Sequence, residues 1–484
     1  MQAIDLKNMT VKACMTVFIL LALIGSVLHY YRLDKVPYGF HVDEMSGAVA
    51  IGCLTTEGVD AHNIRYPLFA DLHYGTPKPP TYIYPAILWA KLFGYSVPSL
   101  RAFSVTVHLT GILGLFLLAH SLFGWRYAVL TLVLAVFSPW SWVTSRVAFE
   151  SLFAVTFFIW GLYMFLQTAR IWKMVLAAIL MAAAMYSYPP IRLQTPLMLV
   201  GLVIYCHKHY HLNWKPLTVF GLVFGVLLIP LAHEVLNGQL MQRFNQISIF
   251  SHDYLKSIGV AGSWIQLSKI FCYIYALHFN PDFIFTKGDP SYVHSTRHFG
   301  ILSWMDMAAL GIGLVFLLML LTKSGRKNNP VLVNQSWLIF LFINVLIGVL
   351  PAALTNSEIP NSLRIMGSWP FMVLLTAYLI WQACERWWGM WLMALLGSIL
   401  FACVFLKVYF DVYPQESKGM FGYWTLEEAN LLKTDQDWLK FMLVYRYQDY
   451  NARYFLMQYR GYSCTQSRTT WEGIRDFLKS KGIY

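Results

Sequence analysis

The residues with the clearest chemical potential stand in one short stretch, Pro37-Tyr-Gly-Phe-His-Val-Asp-Glu-Met-Ser-Gly47. Asp43 and Glu44 come soon after the first apolar run of the chain, roughly residues 13–29. Two carboxylates this near a membrane face are costly to keep without a partner or a task. The task open to one of them is to take a proton from an acceptor hydroxyl or amine as a general base. The competing reading is local. Acids favour the first turn of a helix, and the Met-Ser-Gly-Ala-Val-Ala-Ile run that follows has helical character. The dipeptide alone divides the two readings evenly.

Further along the same segment stands Gly75-Thr-Pro-Lys-Pro-Pro80. The prolines fix the backbone and disfavour helix before them, so Lys78 is held at the start of the next element, at headgroup level. An ammonium there suits a lipid phosphate; the alternative is ordinary snorkelling of a long cation. Tyr82, one turn on, is a candidate substrate-binding side chain. A second polar stretch, Pro139-Trp-Ser-Trp-Val-Thr-Ser-Arg-Val-Ala-Phe-Glu-Ser151, carries Arg146 and Glu150 at a spacing of four. On a helix the two would pair with each other. Separately, Arg146 suits a phosphate and Glu150 a substrate group. Arg192 in Tyr186-Ser-Tyr-Pro-Pro-Ile-Arg192, His233 and Arg243 at the opening of a long loop, and Arg364 before a late apolar run complete the candidates. His233 and Arg243 are further candidates for a lipid phosphate, Arg192 and Arg364 for substrate. Each alone reads better as an interface anchor. Together they would suit a donor with one phosphate, one sugar and one long apolar tail.

What must position these residues is a membrane-embedded scaffold. The 484-residue chain is 57% hydrophobic and only 12% charged, against about 25% charged in soluble domains. Too few charges exist to cover a soluble globule of this size. The net charge of +12 fits cytoplasmic loops of a membrane protein. No basic stripe with interleaved aromatics argues for nucleic acid.

A crossing helix needs about 20 largely apolar residues. Candidate spans centre on 13–29, 102–120, 127–143, 152–169, 174–188, 194–206, 217–232, 303–322, 332–352, 362–383 and 389–406, about eleven in all. With the N-terminus in the cytoplasm, the inner loops are short and basic, as in Arg170-Ile-Trp-Lys173 and Lys323-Ser-Gly-Arg-Lys327. Residues 81–93 are apolar but short. Read as a span they would invert every later loop, so they are expected to form a surface helix in the first outer loop, 30–101. All the candidate chemistry then falls on one side. The expected organisation is a transmembrane module over 1–406, with a long outer loop at 233–302, and a small α/β extracytoplasmic domain over 407–484. The apolar run at 13–29 lacks a clean cleavage site and is read as a retained first helix. No C-x-x-C pair stands among the seven cysteines. Cys53, Cys272 and Cys464 fall in outer loops, where two can join, and the sequence does not choose the pair.

In this order, Asp43-Glu44 after the first span, Lys78-Pro-Pro in the same loop and Ser145-Arg-Val-Ala-Phe-Glu150 in the next resemble the membrane glycosyltransferases of the C-type fold. The chain is most like the protein O-mannosyltransferases and the lipid A aminoarabinose transferases, over roughly residues 10–400. The tail carries no such likeness. The resemblance implies inverting transfer of a sugar from a polyprenyl phosphate to an acceptor outside the cytoplasm, at the plasma membrane. Asp43 would be the base and Glu44 would help shape the site. Lys78 and Arg146 would hold the leaving phosphate, and Glu150 would face the cavity. The aminoarabinose transferases carry an acid before the Lys-Pro-Pro step that can help bind a metal. Here Pro77 stands there, so no metal site of that kind is expected. The paired acids of the oligosaccharyltransferases are incomplete in the second loop, and a divalent cation stays open. Two other functions remain, a flippase for a lipid-linked glycan and a membrane scaffold. Internal repeats and charged mid-membrane helices, the marks of transporters, are lacking. A scaffold would leave Asp43 and Lys78 replaceable.

Overall fold

A computed structural model of the chain describes residues 2–60, 62–70, 77–167, 170–210, 213–260, 262–319 and 335–421. Every apolar run picked out above forms a helix. In chain order these are α1 (Gln2–Leu28), α2 (Val42–Thr56), α3 (Pro80–Phe93), α4 (Val97–Phe123), α5 (Trp125–Val136), α6 (Pro139–Ser145), α7 (Ser151–Phe165), α8 (Ile171–Ser187), α9 (Pro189–Tyr210) and α10 (Trp214–Leu236). After them come α11 (Gln242–Ile247), α12 (His252–Ser257), α13 (Trp264–Leu277), α14 (Trp304–Met319), α15 (Gln335–Ala353), α16 (Trp369–Arg386), α17 (Met390–Lys407) and α18 (Tyr413–Ser417). Among the described residues there is no strand, only three isolated bridges, Val59 with Arg65, Ala70 with Lys78 and Ser248 with Thr355. The α/β tail expected from the sequence lies almost wholly outside the described residues.

Among the described residues six helical stretches are long and apolar enough to cross a membrane: Asn8–Leu28, Val97–Phe123, Pro189–His209, Trp214–Leu236, Gln335–Ala353 and Met390–Met420. A seventh follows if α5 and α6, bent by 57° about Phe137 and Ser138, count as one span. That is fewer than the eleven runs in the sequence. Length accounts for α7, α8 and α14, whose described residues number 15, 17 and 16, short of the roughly 20 that cover a hydrocarbon core; α16 has 18 residues but ends in a polar turn with Gln382, Glu385 and Arg386.

The chain divides into two compact units. One holds Met1–Tyr31, Val105–Ser145 and Ser151–Val412; the other holds Arg32–Ser104, Arg146–Glu150 and the segment from Tyr413 onward. The first is a helical bundle in which α7 packs on α8, α8 on α10, α9 on α15 and α14 on α16. Its core is apolar and aromatic, with Trp140, Trp142, Trp337, Trp369 and Trp391 fully buried.

In the second unit α2 packs on α3. The run at 81–93 is helical, as α3. Its 14 residues reach about 21 Å, and they divide into two faces. Tyr82, Ile83, Ala86, Ile87 and Ala90 are buried, at helical spacing, while Leu88, Leu92 and Phe93 are exposed. Gly47 lets the two helices close. A Cβ there would stand 3.0 Å from the ring and hydroxyl of Tyr82, so even a methyl group requires the Tyr82 side chain to give way by a few tenths of an ångström.

Candidate active site

Three motifs far apart in sequence meet within the second unit. The meeting begins at the N-terminus of α2. His41 is the N-cap: its ring Nδ1 accepts the Asp43 N–H at 3.2 Å, and its own N–H donates to Glu44 Oε2 at 3.1 Å. This is a capping box with histidine in the place usually taken by serine or threonine. It fixes the two acids in different roles. Glu44 turns inward and is fully buried. Asp43 turns outward, with 63% of its side chain exposed and its Oδ2 3.7 Å from His41 Nδ1.

Glu44 is met by Arg101, at the start of α4. Arg101 Nε donates to Oε1 at 2.9 Å and a terminal nitrogen donates to Oε2 at 3.0 Å, the two-pronged pairing of guanidinium and carboxylate. The other guanidinium donors reach the carbonyls of Leu33, Pro37 and Gly39. Arg101 thereby uses all five of its N–H groups and ties the segment leading into α2. Glu44 Oε1 also accepts the Ala148 N–H at 3.1 Å. A buried charge must be compensated in this way to be tolerated.

From Ala148 the network passes to α3. The Tyr82 hydroxyl donates to the Ala148 carbonyl at 3.1 Å. Burial, then the carboxylates of Glu150 and Glu44 and the Tyr95 hydroxyl, push the Tyr82 phenol well above its ordinary range, so it stays a donor. One turn before Tyr82, Lys78 Nζ lies 3.2 Å from Glu150 Oε2. Lys78 is only 3% exposed and Glu150 17%. The backbone of Lys78 is held on both sides, since it bridges to Ala70 and Pro79 is the N-cap of α3 behind it. Arg146 is fully buried and donates to the Val36 carbonyl at 2.9 Å.

The structure thus brings together Asp43, Glu44, Lys78, Tyr82, Arg146 and Glu150, and corrects one local reading. Arg146 to Glu150 do not share a helix face. α6 ends at Ser145 and residues 146–148 form turns, which frees Glu150 to pair with Lys78 rather than along the chain. Sequence reasoning missed Arg101. Its signal was an arginine at the mouth of an apolar run, opposite an acid pair with no local cation.

The remaining candidates lie in the bundle unit. Arg364 is clasped by its own loop: its guanidinium donates to Thr355 Oγ1, to Ser357 Oγ and to the Ser357 carbonyl, with Glu358 at 3.7 Å. The loop is anchored by a buried polar network in which Asn361 N–H donates to His278 Nε2 and Ser362 N–H to Asp289 Oδ2. Burial alone would raise Asp289, but His294 and the N–H groups of Ser362 and Ser291 hold its carboxyl below the ordinary value. Arg243 is exposed and near enough for its charge to be felt at Arg364. Among the described residues Arg192 spends only its Nε, on the Met185 carbonyl. His233 is largely exposed beside Glu234 and Asn237.

Among the described residues no three His, Cys, Asp or Glu side chains gather as a metal site would require. Cys53 is disulfide-bonded, whereas Cys272 carries a free thiol, which removes it from the three candidates for pairing.

No protein-family model and no curated protein matches the sequence. Solved structures do match. ArnT from Cupriavidus metallidurans in the apo state aligns over 91% of this chain and 84% of its own, at 15% identity and a TM-score of 0.51. The same protein bound to undecaprenyl phosphate aligns over 91% and 74%, at 14% identity and a TM-score of 0.48. The archaeal oligosaccharyltransferase AglB from Archaeoglobus fulgidus, in complex with an inhibitory peptide and a dolichol-phosphate, aligns over 90% and 60%, at 14% identity and a TM-score of 0.47. The chain therefore has the fold of ArnT from Cupriavidus metallidurans, the C-type membrane fold that its sequence motifs imply.

Proposed function

We propose that this protein is an integral-membrane glycosyltransferase that moves a sugar, with inversion, from a polyprenyl-phosphate donor to an acceptor on the extracytoplasmic side. The observation that carries the reading is the division of labour within one hydrogen-bonded unit. Asp43 is a carboxylate held open at a helix N-terminus while its neighbour Glu44 is locked away on Arg101. The same network presents a buried ammonium, Lys78. In the reaction Asp43 takes the proton of an acceptor hydroxyl or amine as that atom attacks the anomeric carbon. The bond from the anomeric carbon to the phosphate oxygen breaks, and Lys78 meets the negative charge that develops on the phosphate. Glu44 holds Asp43 in place and takes no proton, since both its oxygens are spent. Arg146, by the resemblance, supports the phosphate. Arg243 and His233 offer further charge to the donor, and Tyr82, Glu150, Arg192 and Arg364 contact substrate. No divalent cation is required in this scheme. The membrane lipids and the apolar tail of the donor meet the exposed apolar faces.

The disulfide of Cys53, on α2, supports an extracytoplasmic setting for the unit that carries Asp43, because disulfides persist in oxidising compartments. The N-terminus then lies in the cytoplasm and the C-terminus outside.

The test is release and transfer of radiolabelled sugar from polyprenyl-phosphate donors by purified protein, wild type beside Asp43→Asn. Wild type is expected to turn over and the variant to fall by at least about a hundred-fold, with unfolding temperatures alike because Asp43 is exposed. Equal turnover in the two would remove Asp43 from the role of base.

A further inference from the structure

The pairing of Lys78 with Glu150 poses a question that donor binding leaves unanswered. A cation kept for a phosphate is here already neutralised. Among the described residues Lys78 Nζ has one acid partner, Glu150 Oε2 at 3.2 Å, and the second oxygen of Glu150 accepts no hydrogen bond. Glu150 is also the less buried of the two, at 17% against 3%. The groups that face it are Lys78 and the Tyr82 phenol, with Arg146 four residues back along the chain and the Glu44–Arg101 pair reached through Ala148. A phosphate that binds Lys78 must therefore bind beside a fixed negative charge.

Resting on the reaction proposed above, we infer that Glu150 is a positioning residue that ejects the spent donor. The charge balance gives the reason. The sugar donor is a phosphodiester with a single negative charge. When the anomeric carbon leaves, the phosphate oxygen keeps the bonding electron pair, and the acceptor's proton goes to Asp43. The lipid product is then a phosphomonoester, which takes a second negative charge above pH ~6. Against Lys78 alone the dianion would bind more tightly than the donor, and the product would hold the site. With Glu150 on the same ammonium, the monoanion is tolerated and the dianion is repelled.

The probe is a pair of lipids bound to the full-length protein in detergent: a polyprenyl phosphate, and its methyl phosphodiester, which keeps one charge at every pH. In wild type, discrimination against the monoester should grow about ten-fold from pH 5 to pH 8, the size expected of like charges a few ångström apart at a partly wetted site. In Glu150→Gln that growth should vanish and the monoester should bind about ten-fold more tightly at pH 8. Glu150→Asp, which keeps the charge, should restore the wild-type pattern. A merely structural Glu150 would move both lipids together and leave their ratio untouched, and that result overturns the inference. A wild-type ratio that does not change with pH also overturns it, without recourse to any variant. If neither lipid binds wild type at all, the donor reading itself falls, which is distinct from binding with a flat ratio.

Discussion

In the unit that carries Asp43, the inward acid and the buried ammonium each meet an opposite charge: Glu44 lies on Arg101 at 2.9 Å and Lys78 on Glu150 at 3.2 Å. In the bundle unit three candidate cations are not balanced so closely. Arg243 has no acid partner among the described residues, Arg192 uses one nitrogen on a carbonyl, and Arg364 is held mainly by neutral oxygens. Balanced pairs of this kind are bound to the fold, because removing one partner strands the other in a low-dielectric interior. An exposed cation such as Arg243 is cheap to remove and free to act on a ligand. The comparison therefore separates residues whose loss unfolds the protein from residues whose loss only disarms it.

The largest effect should come from breaking the deepest pair. Arg101→Met leaves Glu44 buried and uncompensated and is expected to cost about 3–5 kcal/mol, read as a fall in the unfolding temperature in detergent. The double variant Glu44→Met with Arg101→Leu should recover much of that stability, since replacing a buried pair by apolar groups of similar volume is often neutral. Sugar transfer should be lost in the double variant even so, because the capping box that aims Asp43 goes with Glu44. Recovery of transfer in the double variant would show that the clasp has no part in placing the base.

Lys78→Met comes next. Its partner Glu150 is less buried than Glu44, so the stability cost should be smaller than for Arg101. Transfer should fall by about 10²–10³, the loss typical of one charge-stabilising donor at a reacting centre. Lys78→Met with normal turnover of labelled donor would move the phosphate to the candidate cations of the other unit.

The acid pair, the Lys-Pro-Pro step and the short helix that follows it were legible in the sequence because each is local. Carboxylates after an apolar run, prolines that halt a helix and a run too short to span all act through nearest neighbours. Even the role of His41-Val-Asp-Glu as a helix start could be read. What could not be read was pairing across the chain. Arg101 stands 57 residues from Glu44, and Glu150 stands 72 from Lys78; one chain offers no signal of which distant charge finds which. The spacing of Arg146 and Glu150 misled for the same reason. It is a helical spacing, but both residues fall in the break between α6, which ends at Ser145, and α7, which begins at Ser151.

The candidate cations of the bundle unit sharpen the comparison through two arginines near each other in charge but not in anchorage. Arg243→Ala should leave the unfolding temperature unchanged, within the ~0.5 kcal/mol usual for surface substitutions, while weakening donor binding about ten-fold. Arg364→Ala removes the clasp on Thr355 and Ser357 and should cost about 1–3 kcal/mol, as expected when buried hydrogen-bond partners are stranded. Equal stability of the two variants would mean that the loop does not depend on its arginine.

The smallest expected effect concerns the buried network behind that loop. His278 donates from Nδ1 to the Ile274 carbonyl and accepts the Asn361 N–H on Nε2, an arrangement only a neutral ring can make. Burial accordingly pulls its pKa below the ordinary histidine value. The unfolded ring takes a proton near pH 6.5 while the folded ring does not, so the unfolded state binds more protons as the pH falls. Stability is therefore full above about pH 6.5 and drops below it, by up to about 1.4 kcal/mol per pH unit until the folded ring titrates. Unfolding temperatures measured from pH 8 to pH 5 should show this slope in wild type and a shallower one in His278→Gln. Asp289 stays ionised across that range, since its carboxyl is held below the usual value, so it should add its own loss only in stronger acid. An identical slope in wild type and variant would place the titrating proton elsewhere, and His294 beside Asp289 would be the next ring to replace.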